Sequence, residues 1–452
     1  MYNRNVTMDS ISTFRIRLFD MICALSTALD LLDPALGSHQ KRTCLIASQL
    51  ARSLQLSDSD YQEVFGAAIF HDIGAIGLQN RLSMLDFEEV DPHTHATLGA
   101  LLLERFPAFR RYAPLVRCHH VQWQHGAGTQ HAGQAVPTYS HLIYLADRIE
   151  VLAQGQDNIL GAVPQIVAQI QAVRGSKFHP QLVDEFVQLA QHESFWLDIF
   201  SRNLDRILMD AAPFDNIELD LQQMLQFAQF FALVIDSRSH FTATHSAGVA
   251  ITAEIIAQQI GMTAQECTKM RIAGYLHDLG KLAVPSEYIE RDGKLDQTEM
   301  ARVRSHSYIT LDILGNIKGL EDVAQWASSH HERLDGSGYP YHRTANELPL
   351  GSRIMAVADV YTALTENRPY RAGLAPNAVL QMLDELAQDG KLDPVVIGVL
   401  HQHLATVEAA RIAAQEQESL DLAEFWQVAS RECGVSKTAT PKSNGVCSKT
   451  II

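Results

Sequence analysis

Two histidines stand side by side at His330 and His331, opening the stretch "HHERLDGSGYP", and a His-Asp pair stands at His277 and Asp278. Imidazole and carboxylate in such company suit metal binding better than turn formation, because adjacent imidazoles add nothing to a turn that Gly, Pro or Asn would not supply. The set is also repeated. His39 precedes His71-Asp72 by 32 residues, and His245 precedes His277-Asp278 by the same 32; His95 precedes His119-His120 by 24, and His306 precedes His330-His331 by 24. Asp147 in "LADRIE" then matches Asp359 in "VADVYT", and "GSKFHPQLV" around Pro180 matches "DGKLDPVVI" around Pro394. Each copy thus offers five imidazoles and two carboxylates. Without thiolates, that mixture fits Fe, Mn or Zn, and it is wrong for Ca or Mg, which favour all-oxygen shells. Seven donors exceed what one ion needs. A carboxylate able to bridge, Asp278, beside a histidine that binds a single ion, His277, is what a two-metal centre requires. Two cations about 3.5 to 4 Å apart can activate water at neutral pH and take up charge on a phosphate oxygen, which points to phosphate ester hydrolysis.

The elements that must carry these residues are helical. Apolar residues recur at three and four in "SAGVAITAEIIAQQIGM", "AVLQMLDELAQ" and "PQLVDEFVQLAQ", and no series of alternating strand runs is present, so the fold class is all-α. A long-period duplication sets the domain plan. The first copy is expected over residues 1–212, ending at "MDAAPFDN" where Pro213 and Asn216 break the helical pattern, and the second over 213–432, beginning with a helical connector. The small, polar residues 433–452 are expected to be a disordered tail.

Composition limits the remaining possibilities. The chain has 452 residues, 46% of them apolar, which is enough for more than one core. Its net charge of −16 opposes binding to a polynucleotide, while a small phosphorylated ligand held by a few local cations remains compatible. Six cysteines without CxxC spacing, and no basic-then-apolar leader, lead to the expectation of a reduced, cytoplasmic protein. The best apolar run, "MICALSTALDLL", is cut by Asp30 and Asp33 and falls short of a bilayer span. A homodimer is compatible with all of this.

Taken together, "HDLGK", "HHERLDGSGYP" and "DVYTALTENRPYR" resemble the HD-GYP phosphodiesterases, a bacterial branch of the metal-dependent HD phosphohydrolase superfamily. The likeness covers residues 225–430, with every motif intact. It implies two tandem HD-type helical bundles and hydrolysis of cyclic di-GMP or of 3′3′-cyclic GMP-AMP to the linear 5′-phosphorylated dinucleotide. It also implies that His245, His277 and Asp359 bind one ion and His306, His330 and His331 another, with Asp278 bridging. Two divalent ions per centre, Fe(II) or Mn(II), are expected. Lys281, four residues after His277 and read as one helical turn on, would reach a substrate phosphate, as would Arg368 and Arg371 on either side of Pro369; Tyr339 could stack on the ligand. Some members carry a Glu four residues before the first histidine that adds a third metal; Phe241 stands there in this chain.

The first copy keeps His39, His71, Asp72, His95, His119, His120 and Asp147 but has Ala75 in place of Lys281 and lacks both the Gly-Tyr-Pro loop and the arginine segment. Buried imidazoles and carboxylates are destabilising without an ion, so this copy should bind metal too, either as a 5′-nucleotidase acting on the linear product or as a structural site. The rival class for the whole chain is a cyclic dinucleotide sensor or interaction platform. Intact donors, Lys281 and the arginines favour the enzyme.

Overall fold

A computed structural model describes residues 14–31, 37–77, 92–213, 217–236, 244–289, 291, 293–367 and 372–433. The first half contains α1 (Leu18–Asp30), α2 (His39–Ser53), α3 (Asp58–Ile69), α4 (Pro92–Arg105), α5 (Ala113–Arg117), α6 (Thr138–Ala153), α7 (Ile159–Ala172), α8 (Pro180–Leu189), α9 (Glu193–Ile199) and α10 (Leu204–Ala211). The second contains α11 (Leu221–Asp236), α12 (His245–Ile260), α13 (Ala264–Leu276), α14 (Ser286–Ile289), α15 (Gln297–Leu314), α16 (Glu321–Ser328), α17 (Leu350–Thr365), α18 (Pro376–Gln388), α19 (Pro394–Gln402) and α20 (Leu404–Cys433). The strands among the described residues are two residues long: β1 (Ile16–Arg17) pairs antiparallel with β4 (Glu218–Leu219), and β2 (Gln130–His131) with β3 (Gln134–Ala135). The molecule is all-α, as its apolar periodicity requires.

Local sequence sets the helix starts. Thr263 and Glu266 form a reciprocal capping box at α13, and Asp296 with Glu299 does the same at α15, each pair satisfying two amides that the first helical turn leaves free. Matching prolines, Pro180 and Pro394, open α8 and α19, where the missing amide costs nothing; the residue before each caps the helix through its side chain.

Element order repeats between the halves. α2, α3, α4 and α6 correspond to α12, α13, α15 and α17, and a short 3-10 turn, residues 73–77 or 279–283, follows α3 and α13. The two cores merge. Phe227 and Phe230 of α11 pack on Phe106 and Phe109 of the first half at ring separations of 5.5 to 5.7 Å between the facing pairs. All four rings are buried, and truncating one such ring to Ala typically costs about 3–5 kcal/mol. α1 packs on α2 but also on α15 and the 279–283 turn, and α20 packs on both α12 and α4. The connector is therefore part of a shared core. Among the described residues, no helix is long and apolar enough to cross a membrane.

Candidate metal centres

Each half places its repeated residues at one point. In the second, His245 starts α12, His277 is the residue that ends α13, Asp278 follows it, His306 lies in α15, His330 and His331 follow α16, and Asp359 lies in α17. Their donor atoms form two convergent groups, His245 with His277 and Asp359, and His306 with His330 and His331, and a third, His277 with Asp278 and His330, that spans them. In the first half the groups are His39, His71 and Asp147, and Asp72, His95, His119 and His120.

The shared carboxylate faces both groups. Asp278 Oδ2 lies 3.1 Å from His277 Nε2, while its Oδ1 lies 3.5 and 3.9 Å from the Nε2 atoms of His306 and His330. Asp72 repeats this, with Oδ2 3.5 and 3.3 Å from His39 and His71 Nε2, and Oδ1 3.3 and 3.7 Å from His95 and His119 Nε2. One oxygen toward each group is the orientation that a carboxylate joining two cations adopts.

Backbone carbonyls fix which imidazole nitrogen points inward. His71, His119, His277, His306 and His330 each have Nδ1 on the carbonyl three residues earlier, at 2.5 to 2.8 Å. A carbonyl only accepts, so Nδ1 carries the proton and the neutral ring turns a lone pair on Nε2 to the centre. Two histidines, each the first of its copy, use a carboxylate instead: His39 Nδ1 bonds Glu150 Oε2, and His245 Nδ1 bonds Glu366 Oε2 at 3.0 Å.

Glycine sets the spacing between the His-Asp turn and the helix that crosses it. A Cβ on Gly280 would lie 2.0 Å from the His306 carbonyl oxygen, and one on Gly74 would lie 2.1 Å from that of His95. Only a residue without a side chain lets the helix bearing the third histidine come so near. Thr310 then closes the contact in the second half, its hydroxyl donating to the His277 carbonyl and accepting from the Gly280 amide.

The electrostatics suit cations. Burial lowers His306 to about 4 and His330 to about 3, leaving both neutral. Burial opposes ionisation of Asp278, but His277 and Lys281 outweigh it and hold the carboxyl well below its usual range. His245 differs: burial works against its charge, yet Glu366 and Asp359 raise it to about 10, so an incoming cation must displace a proton there. His277 Nε2, Asp278 Oδ1, Asp72 Oδ1, His119 Nε2 and Asp147 Oδ1 are buried and make no hydrogen bond. Orphaned donors of this kind, converging in both halves, are costly in a folded core unless an ion satisfies them, and the residues fit a divalent metal.

The surroundings of the two centres differ. Lys281 does not continue α13, which ends at Leu276; from the 3-10 turn its ammonium reaches Asp278 Oδ2 at 2.6 Å. The expected helical turn is corrected to that tighter path. Tyr339 lies against His331, with ring centroids 4.7 Å apart, and the Arg304 guanidinium sits 5.2 Å from its centroid. Arg368, Arg371 and Phe241 lie outside the described residues. In the first half Ala75 leaves no lysine, but Arg148 donates through Nε and Nη2 to Asp147 Oδ2 at 3.1 and 2.8 Å, where the second half has Val360.

Comparison with known proteins agrees with this geometry. Residues 36–152 and residues 229–396 each match a family profile described as HD domain. The chain is 29% identical over 404 residues to 3′3′-cGAMP-specific phosphodiesterase 1 of Vibrio cholerae, a match spanning 87% of this chain and 94% of that protein. The chain belongs to the HD-domain family. Its two HD domains, which are metal-dependent modules, stand in tandem. A second relative, 3′3′-cGAMP-specific phosphodiesterase 3 of the same organism, is 26% identical over 440 residues, covering 86% of this chain and 94% of that protein. A crystal structure of a cyclic GMP-AMP specific phosphodiesterase of V. cholerae shares the fold at a TM-score of 0.63 and 24% identity, over 86% of this chain and 98% of that one.

Glu150, Glu366, Gly74 and Gly280 escaped the sequence reading. The glycines were visible in "HDIG" and "HDLG" as a repeated residue two places after the aspartate.

Proposed function

We propose that the second HD domain opens a cyclic dinucleotide to the linear 5′-phosphorylated form, using His245, His277, Asp278, His306, His330, His331 and Asp359 to hold two divalent ions, Fe(II) or Mn(II). The observation that carries the reading is Asp278, with one oxygen toward each histidine group and the Lys281 ammonium on it. When bound, the ions would supply Lewis acidity and lower the pKa of water at neutral pH. The residues do the rest. His306 and His330 are kept neutral by burial and Asp278 is kept ionised, so these three are ready at neutral pH, while His245 gives up a proton to the incoming cation. Lys281, a quarter exposed at its side chain, can exchange Asp278 for a phosphate oxygen as substrate enters. Tyr339, fixed against His331, offers a ring face and a hydroxyl to the ligand. Relatives named for 3′3′-cGAMP, each matched over 94% of its length, favour that substrate over cyclic di-GMP.

For the first HD domain, the proposal is a 5′-nucleotidase that removes the terminal phosphate of the linear product. A phosphomonoester protrudes and needs fewer cations than a ring with two phosphates, so the loss of lysine at Ala75 is tolerable there. A structural metal site is the second reading, favoured by the burial of every donor: His39, His71, Asp72, His95, His119, His120 and Asp147 are all 6% exposed or less. The test is to separate the products formed over time from 3′3′-cGAMP and cyclic di-GMP with Mn(II), in wild type and in His71→Ala/Asp72→Ala. Accumulation of the 5′-phosphorylated linear dinucleotide in the variant, where wild type proceeds to inorganic phosphate, supports both assignments. Wild type that opens the ring but releases no phosphate leaves the first site structural. A wild type that binds either dinucleotide without turnover makes the chain a sensor instead.

A further inference from the structure

α20 lies beyond the residues that match the HD profile, which ends at 396, yet its side chains reach the second centre. Glu408, Arg411 and Gln415 share one helical face by their spacing of three and four. The Tyr361 hydroxyl donates to Glu408 Oε2 at 2.7 Å, and Arg411 donates to the same carboxylate through Nε at 3.0 Å and Nη2 at 2.6 Å. Arg411 Nη1 then donates to Gln415 Oε1. Gln415 Nε2 donates to Glu366 Oε1 and to the Thr244 carbonyl, at 3.3 Å for the latter. Glu366 Oε2, in turn, accepts from His245 Nδ1. The amide can lie only one way round, because a guanidinium solely donates and a carboxylate solely accepts.

Two further observations single out Gln415. Gly248 in α12 leaves the space that its amide occupies: a Cβ there would lie 2.7 Å from Gln415 Nε2 and 2.8 Å from Thr362 Cγ2. The first half supplies the same support by a different residue, since the carboxylate behind His39, Glu150, is held by Arg42 Nε at 2.6 Å. Both centres thus clamp the carboxylate behind their first histidine.

We propose that Gln415 is a positioning residue for the second centre, holding Glu366 so that His245 keeps its proton on Nδ1 and turns Nε2 to the metal. This rests on the reading of that centre as metal-binding. Glu366 is the carboxylate bonded to the ligating histidine, and loss of such a partner typically weakens metal affinity by about 10–100-fold; Gln415 acts one link further out, through Glu366, so its loss should cost less, up to about 10-fold.

The experiment is a calorimetric titration of Mn(II) into the full-length, metal-stripped chain carrying His71→Ala and Asp72→Ala, so that the second centre is read alone. Gln415→Leu and Gly248→Ala are added separately, one deleting the amide and the other displacing it. Both should weaken Mn(II) binding by up to about 10-fold and lower kcat at limiting Mn(II), while excess Mn(II) restores it at unchanged KM; Gln415→Leu should keep the melting temperature of the metal-free chain, whereas the added methyl of Gly248→Ala lowers it. Affinity within about twofold of the parent in Gln415→Leu overturns the proposal. So does a fall in metal-free melting temperature with no change in affinity, which would make Gln415 a packing residue. If the parent itself takes up no Mn(II), the metal-centre reading fails and the inference falls with it.

Discussion

Gly280→Ala should cripple the second centre while leaving the chain folded. The added Cβ would lie 2.0 Å from the His306 carbonyl oxygen, 2.8 Å from its carbon and 3.0 Å from its Cα, whereas ordinary contact begins at 3.4 Å, so the backbone must yield by about 1.4 Å. None of these atoms is the free end of a side chain, and the strain falls on α15 itself. Overpacking of this kind costs about 1–3 kcal/mol of stability, a fraction of what a domain holds. The same shift carries His306 Nε2 away from Asp278 Oδ1, now 3.5 Å distant. A misplacement of about 1 Å at a catalytic group costs on the order of 100-fold in rate. The assay is steady-state hydrolysis of 3′3′-cGAMP with Mn(II), alongside thermal melting and bound-metal analysis. Gly74→Ala is the matched comparison, since its Cβ would meet the His95 carbonyl at 2.1 Å in the other centre. It should cost comparable stability and spare ring opening. Near-wild-type turnover in Gly280→Ala, or equal losses of ring opening in both variants, would refute the argument that this glycine sets the position of His306.

Asp278→Ala should abolish ring opening and lower bound metal, since it removes a carboxylate that turns one oxygen to each histidine group; turnover like wild type would sink the two-ion assignment. Arg368→Ala should raise KM by roughly 10–100-fold without loss of metal, the worth of a charge-assisted phosphate contact at about 1.5–3 kcal/mol, and unchanged kinetics would show that this arginine takes no part. Without metal, stability should fall as pH drops below about 6.5, because His306 and His330, held near 4 and 3, bind fewer protons folded than unfolded. His245, raised to about 10, has the opposite sign: its contribution is complete below 6.5 and fades toward 10. Melting curves of the stripped chain across pH 4 to 9 check this, and His330→Gln should flatten the acid limb.

The donors were legible because both copies keep them at the same intervals, 32 and 24 residues, and a repeated interval is visible without a fold. The helical class was legible for a similar reason, since the apolar period survives whatever the tertiary contacts are. Their supports were not. Glu150 stands three residues after Asp147 but Glu366 stands seven after Asp359, so aligning the copies cannot bring the two carboxylates into register. Gln415 comes from α20, which lies beyond the repeated motifs. Lys281 was placed correctly in sequence and by the wrong local path, because the spacing from His277 does not disclose that α13 stops at Leu276.

That difference in support bears on why one chain carries the same donors twice. In the first half the carboxylate behind the leading histidine is paired with a fixed cation, Arg42, and Asp147 carries a second, Arg148, so positive charge is built into the protein around the ligands. In the second half the matching carboxylate is held by a neutral amide, and the cation at the centre, Lys281, sits on the shared aspartate with its side chain 23% exposed. A guanidinium locked on a ligand cannot leave to meet a phosphate without stranding a buried carboxylate. An ammonium at the rim can, because the substrate's phosphate replaces the contact it gives up. The second centre therefore keeps an adjustable charge on a partly exposed side chain, while the first spends its charge on fixing Glu150 and Asp147. Under the proposed functions, the same donor set would serve a dianionic ring in one half and the phosphorylated end of a chain in the other.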